Sequence, residues 1–112
     1  MAISETILPA LTRVQIARYA GAVRDFNPIH VDEEFAKGAG LPSVIAHGPF
    51  TLARALDAIV AQVGAEAVRG FDARLKAPYL PGETLVVSPV DGGVELRAGS
   101  GTVLASATLT LE

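Results

Sequence analysis

The chain has 112 residues, half of them hydrophobic, with a net charge of −3 and no cysteine. That size and composition lead one to expect a single domain, residues 1–112, with enough apolar material for one core. No run of Lys and Arg is present to grip phosphates, which argues against nucleic acid, and the absence of cysteine removes disulfides, thiol catalysis and cysteine metal sites. The first residues lack a basic lead and contain Glu5 and Pro9, so they do not read as a signal peptide. Ile3 to Leu8 is expected to form a short strand. Thr12-Arg13-Val14-Gln15 matches a capping box, predicting a helix to about Ala22 whose apolar set includes Ile16, Ala17, Tyr19, Ala20 and Val23. Asp25 to His30 contains an Asn-Pro pair and reads as a turn or loop. Asp32 is placed to cap a short helix closing near Gly38, with a loop over Gly38, Gly40 and Pro42.

A second, longer helix is expected from Pro49 to about Val63, stopping at Gly64. Phe50, Leu52, Ala53, Leu56, Ile59, Val60 and Val63 cover most of its surface, which marks a buried helix that the rest of the domain must wrap. Arg54, Asp57 and Gln62 interrupt it, and it is too short and polar to span a bilayer, so a soluble cytoplasmic protein is expected. The remainder reads as strands: Phe71 to Ala77, Thr84 to Val90, Val94 to Ala98 and Thr102 to Leu111. Pro81-Gly82 suits a type II turn, and Asp91-Gly92-Gly93 and Gly99-Ser100-Gly101 mark the later turns. In the last strand Val103, Ala105, Ala107, Leu109 and Leu111 alternate onto one face. Three consecutive strands after one buried helix imply an α+β arrangement, an antiparallel sheet curled around that helix.

Two patches carry chemistry. Asp25-Phe26-Asn27-Pro28-Ile29-His30 places a carboxylate, an amide and an imidazole on a proline-stiffened segment, and histidine gives or takes a proton near neutral pH. Ala46-His47-Gly48-Pro49 opens the long helix with a glycine, where free backbone N–H groups and the positive helix end favour an oxygen gaining charge. A proton-transfer pair and an oxyanion site are what hydration of an α,β-unsaturated thioester requires, with no metal, flavin or nicotinamide.

At these residues the chain resembles the MaoC-like (R)-specific hydratase and dehydratase family, whose motif is similar to Ser-Gly-Asp-x-Asn-Pro-aliphatic-His, followed by Ala-His-Gly at the start of a central helix. Asp25 to His30 matches the core of the first motif in order and spacing, Ile45-Ala46-His47-Gly48 matches the second, and Pro78 to Leu85 resembles the family's turn before a late strand. Val23-Arg24 replaces the frequent Ser-Gly, and Pro49 replaces Met or Leu and so removes one N–H donor. The resemblance implies a hot-dog fold, usually dimeric, and a hydro-lyase acting on trans-2-enoyl or (3R)-3-hydroxyacyl thioesters of coenzyme A or acyl carrier protein. It implies that Asp25 and His30 share the water and the α-proton, without dividing the transfers between them. Gly48 N–H is then the partner of the thioester oxygen, with Asn27 and His47 in support.

Plainer readings compete at several positions. Asp25 and Asn27 are ordinary turn residues, His30 is compatible with a surface loop, and His47 reads as a structural residue beside the helix start. Asp25, His30 and His47 lack the spacing of a metal site, and none is expected. Arg24, Lys37, Arg69, Arg74 and Lys76 read as solvated charges. Two other functions remain in view. A hot-dog thioesterase shares the fold but is not expected to carry this motif order. A non-catalytic subunit of a heterodimer completes a partner's pocket but is expected to lose Asp25 or His30.

Overall fold

The computed structural model of the chain describes residues 3–112. In chain order the elements are β1 (Thr6–Leu8), α1 (Arg13–Val23), α2 (Pro28–Val31), α3 (Glu33–Gly38), α4 (Gly48–Val63), β2 (Val68–Leu75), β3 (Leu85–Val90), β4 (Gly93–Ala98) and β5 (Val103–Leu111). A single turn of 3-10 helix, Ala65–Ala67, links α4 to β2.

The strands form one antiparallel sheet in the order β1-β3-β4-β5-β2. Its register pairs Leu85 with Ala98, Val87 with Leu96, and Leu96 with Ala105. Alternate residues of a strand share a face, so these side chains make one apolar surface. They are buried with Ala55 and Ile59 of α4 and Ile16 of α1. Burying an isoleucine completely, as at Ile16 and Ile59, stabilises the fold by roughly 1.5–3 kcal/mol each.

Several local expectations meet a physical override. The first strand begins only at Thr6, because Gln62 of α4 occupies the backbone of Ser4: its amide oxygen accepts the Ser4 N–H at 2.8 Å, and its NH2 donates to Ser4 O at 3.3 Å. The alternation in β5 breaks where the ladder to β4 shifts between Leu96 and Arg97. Leu104, which simple alternation would send to the other face, is buried there, as an extra residue in a bulge permits. Its carbonyl accepts the N–H groups of both Lys76 (2.8 Å) and Ala77 (3.3 Å), carrying the β2–β5 pairing past Leu75.

Helix α1 begins with the predicted reciprocal capping box, Gln15 N–H to Thr12 Oγ1 at 3.1 Å and Thr12 N–H to Gln15 Oε1 at 2.9 Å. It ends at Arg24, whose φ of 59° lies in the left-handed region. The type II turn at Pro81-Gly82 also forms: Gly82 has φ 89°, and Glu83 N–H donates to Leu80 O at 3.3 Å.

Helix α4 packs on β2 and β3 and fully buries one face, Thr51, Ala55, Ala58 and Ile59. Phe50, Leu52, Val60 and Val63 are half-buried and Ala53 is exposed, so the single chain encloses this helix less completely than its apolar sequence predicts. Arg54 fastens its outer side, donating to Tyr79 Oη at 2.7 Å and to Pro9 O at 2.9 Å. Burial raises the Tyr79 hydroxyl above the usual phenol pKa, an effect that the Arg54 charge and hydrogen bond oppose.

Candidate active site

The first motif is built by local hydrogen bonds. Asp25 N–H closes on Ala20 O at 3.0 Å, and Asp25 Oδ1 then accepts the Asn27 N–H at 3.2 Å. Asn27 Oδ1 accepts the Ile29 N–H at 3.2 Å, capping α2, with Pro28 in its first turn. The expected turn or loop is therefore partly a one-turn helix. Proline holds the preceding Asn27 out of helical geometry (ψ 129°) while its own fixed φ starts the helix that carries His30. The turn-forming roles of Asp25 and Asn27 are thus present, and they also set the position of His30.

His30 is buried, and its Nδ1 lies 2.7 Å from Ile45 O. A carbonyl only accepts, so Nδ1 carries the hydrogen, and in the neutral ring the lone pair is then on Nε2. Ile45 N–H donates in turn to Ile29 O at 3.1 Å, so the strand-like segment before α4 docks twice on the His30 helix. Glu33 strengthens this docking by accepting the Val44 N–H at 2.9 Å while pairing with Arg13 at 2.7 Å. The Val44 hydrogen bond holds the Glu33 carboxyl below the usual carboxylate range; desolvation opposes this, and Arg13 adds to it.

His47, 2 % exposed, caps the N-terminus of α4 without a side-chain cap bond. Its Nε2–H donates to the backbone oxygen of Asp25 at 3.0 Å, and its ring stacks on His30. The Tyr19 ring lies 4.9 Å from both His47 and Phe50. Sequence reading counted Tyr19 only in the apolar set of α1, and nothing in its spacing marks it as the wall behind the site.

One oxygen of Asp25 and one ring nitrogen each of His30 and His47 lie within 4.8 Å of one another. A single water can bridge groups at that separation. His30 Nδ1 and His47 Nε2 are each held by a backbone oxygen, which leaves one ring nitrogen of each histidine for any further partner. Asp25 is exposed whereas both histidines are buried.

Gly48 follows His47 and opens α4 as expected, but it lines a different hollow of the single chain from His30. The Gly48 hollow, about 310 Å³, is walled by Ile45, Ala46, Thr51, Leu75 and Tyr79 among others. The His30 hollow, about 280 Å³, lies among Arg13, Ala17, Val31, Glu33 and Val44. A Cβ on Gly48 would meet Leu75 Cδ1, so with glycine here the Leu75 side chain lies directly against the helix start, and any larger residue would have to turn it aside. A larger, polar hollow of about 500 Å³ around Asp72, Arg74 and Asp91 contains none of the motif residues.

The family model described as MaoC like domain matches residues 4–111, and the chain belongs to that family. Among curated proteins it is 43% identical over 88 residues to 3-hydroxyacyl-thioester dehydratase X of Mycobacterium tuberculosis, covering 77% of this chain and 31% of the relative. The chain spans 21–31% of the length of the first curated relatives it matches. The solved R-hydratase PhaJ1 from Pseudomonas aeruginosa superposes with a TM-score of 0.82 at 19% identity, over 96% of this chain and 77% of that one. A chain of the ChsH1-ChsH2 complex from Mycobacterium tuberculosis matches with a TM-score of 0.76 at 22% identity, over 100% of this chain and 98% of that one. These likenesses establish the hot-dog fold: a five-stranded antiparallel sheet packed around a long helix. No helix among the described residues is long and apolar enough to cross a membrane.

Proposed function

We propose that this chain is a hydro-lyase that adds water to trans-2-enoyl thioesters to give (3R)-3-hydroxyacyl thioesters, or runs the reverse dehydration. The observation that carries this reading is the convergence of the Asp25 carboxylate and the His30 imidazole within bridging distance of one water. In the hydration direction, Asp25 and His30 together take a proton from the water as its oxygen attacks C3, and return a proton to C2. The lone pair on His30 Nε2 suits it to receive the first of these protons. The charge that passes through the thioester oxygen is met by the Gly48 N–H at the positive end of α4. Protons and water balance over the cycle without a cofactor. The thioester arrives on coenzyme A or acyl carrier protein.

The same reading treats the chain as one domain working in the cytoplasm within a pair of subunits. Strand β2 is a sheet edge with Leu75 half-exposed on it, beside the Gly48 hollow, and an unpaired edge invites a second sheet. A second copy fits this role. The likeness to a chain of the ChsH1-ChsH2 complex favours a related but different subunit as the second reading. Sedimentation of the purified chain separates the two.

Loss of the enoyl-thioester absorbance measures turnover directly, and a free-thiol assay run beside it detects thioesterase action. Asp25→Asn and His30→Ala are each expected to lower turnover by about 10²–10⁴-fold with the fold intact. Normal activity in either variant removes the assignment, and thiol release without hydration replaces the reaction.

A further inference from the structure

We propose that the hydroxyl of Thr51 is the second donor to the thioester oxygen, beside the Gly48 amide. This rests on the hydratase reading above and adds a residue to it.

An oxygen that gains charge during reaction is best held by more than one fixed donor. Helix starts usually supply several, because their first N–H groups have no partner within the helix. In α4 this supply is reduced. Pro49 has no N–H, and the N–H groups of Phe50 and Thr51 both close on His47 O, at 3.0 and 3.2 Å. Gly48 is left as the one backbone donor of the first turn.

Thr51 stands three residues after Gly48, on the same side of the helix, and lines the same hollow. It is 3% exposed, so water competes little for its hydroxyl. Among the described residues that hydroxyl has one hydrogen bond, to His47 O, stretched to 3.5 Å. Good O–H···O bonds are about 2.7–2.8 Å long, so the proton can turn to a stronger acceptor by rotation alone. The other side-chain donors around the hollow are poorly suited. The Tyr79 hydroxyl donates to Glu83 O at 2.9 Å and accepts from Arg54, and Lys76 is solvent-exposed. In the proposed step, electrons move from the C2–C3 double bond toward the thioester oxygen as water adds. The Thr51 proton stays on Thr51 and forms a hydrogen bond to that oxygen.

The test compares the wild-type chain, Thr51→Val and Thr51→Ser by two readouts. One is steady-state hydration of trans-2-butenoyl-CoA. The other is the infrared stretch of a ¹³C-labelled thioester carbonyl in bound 3-hydroxybutanoyl-CoA. Thr51→Val is expected to lower kcat by about 10–100-fold with KM nearly constant, and Thr51→Ser to recover most of the loss. The carbonyl stretch should lie lower in the wild type and Thr51→Ser than in Thr51→Val. Equal rates and equal stretches in wild type and Thr51→Val overturn the proposal. If the valine variant fails to fold, Thr51→Ala against Thr51→Ser makes the same comparison. A Thr51-dependent carbonyl shift without any turnover in the wild type keeps the donor and rejects the hydratase reading.

Discussion

The imidazole of His47 lies face to face with that of His30, ring centroids 3.7 Å apart and planes inclined by 19°. Through its Nε2–H the same ring holds the Asp25 carbonyl, so one buried side chain touches both members of the proposed proton-transfer pair. Its Nδ1 is buried without a hydrogen-bond partner among the described residues. Leaving such an atom unsatisfied costs about 1–3 kcal/mol.

Phenylalanine at this position keeps the stacked wall, removes the unsatisfied nitrogen and cuts the tether to Asp25. His47→Phe is therefore expected to melt at or above the wild-type temperature while kcat drops about 10–100-fold, as small misplacements of reacting groups produce. Thermal melts and steady-state kinetics on the same preparation check both halves. Full activity would mean that Asp25 holds its position without His47.

Arg24 occupies the left-handed region at φ 59°, at the place where the family motif frequently has glycine. Side chains with a Cβ pay about 1–2 kcal/mol there, and Arg24 makes no ion pair among the described residues that would offset it. Glycine relieves the strain but gains freedom in the unfolded chain. Arg24→Gly is expected to stabilise by at most about 1 kcal/mol, read from the denaturant midpoint, with activity preserved. A lower midpoint would show that the arginine has a stabilising role in the fold.

Glu33 joins α1, α3 and the segment before α4 through Arg13 and the Val44 N–H. Its folded-state pKa is depressed, so its contribution is present at pH above its unfolded value and is lost as pH falls through the folded one. Glu33→Gln should melt lower than wild type at neutral pH, with the two curves drawing together at acid pH. Melting temperatures across an acid-to-neutral series test this; a constant gap at every pH contradicts it.

What could be read in the residues was local chemistry. The Thr12–Gln15 capping box and the Pro81-Gly82 turn depend on a few adjacent side chains and form as expected, and α4 starts at Gly48, one residue before the expected Pro49. The arrangement of Asp25 and Asn27 was also legible, because each bonds to backbone two residues away. The contact between His30 and His47 was not, since it depends on how the pre-α4 segment docks on α2 across a loop. Tyr19 gave no signal for a related reason: its neighbours at the site, His47 and Phe50, come from a different helix and its cap. The truncation of β1 by Gln62 is another such case, a side chain far along the chain overriding a strand pattern.

Among the described residues strand β2 has one hydrogen-bonded neighbour, and that neighbour is β5. As the polypeptide emerges from the ribosome, Val68–Leu75 must wait for Val103–Leu111 before its backbone can pair. Until then Leu75 has no fixed place against Gly48, and the wall of that hollow is unmade. Ordering of that hollow is therefore tied to a late, long-range event in folding, and losing the final strand would leave the wall beside Gly48 unbuilt.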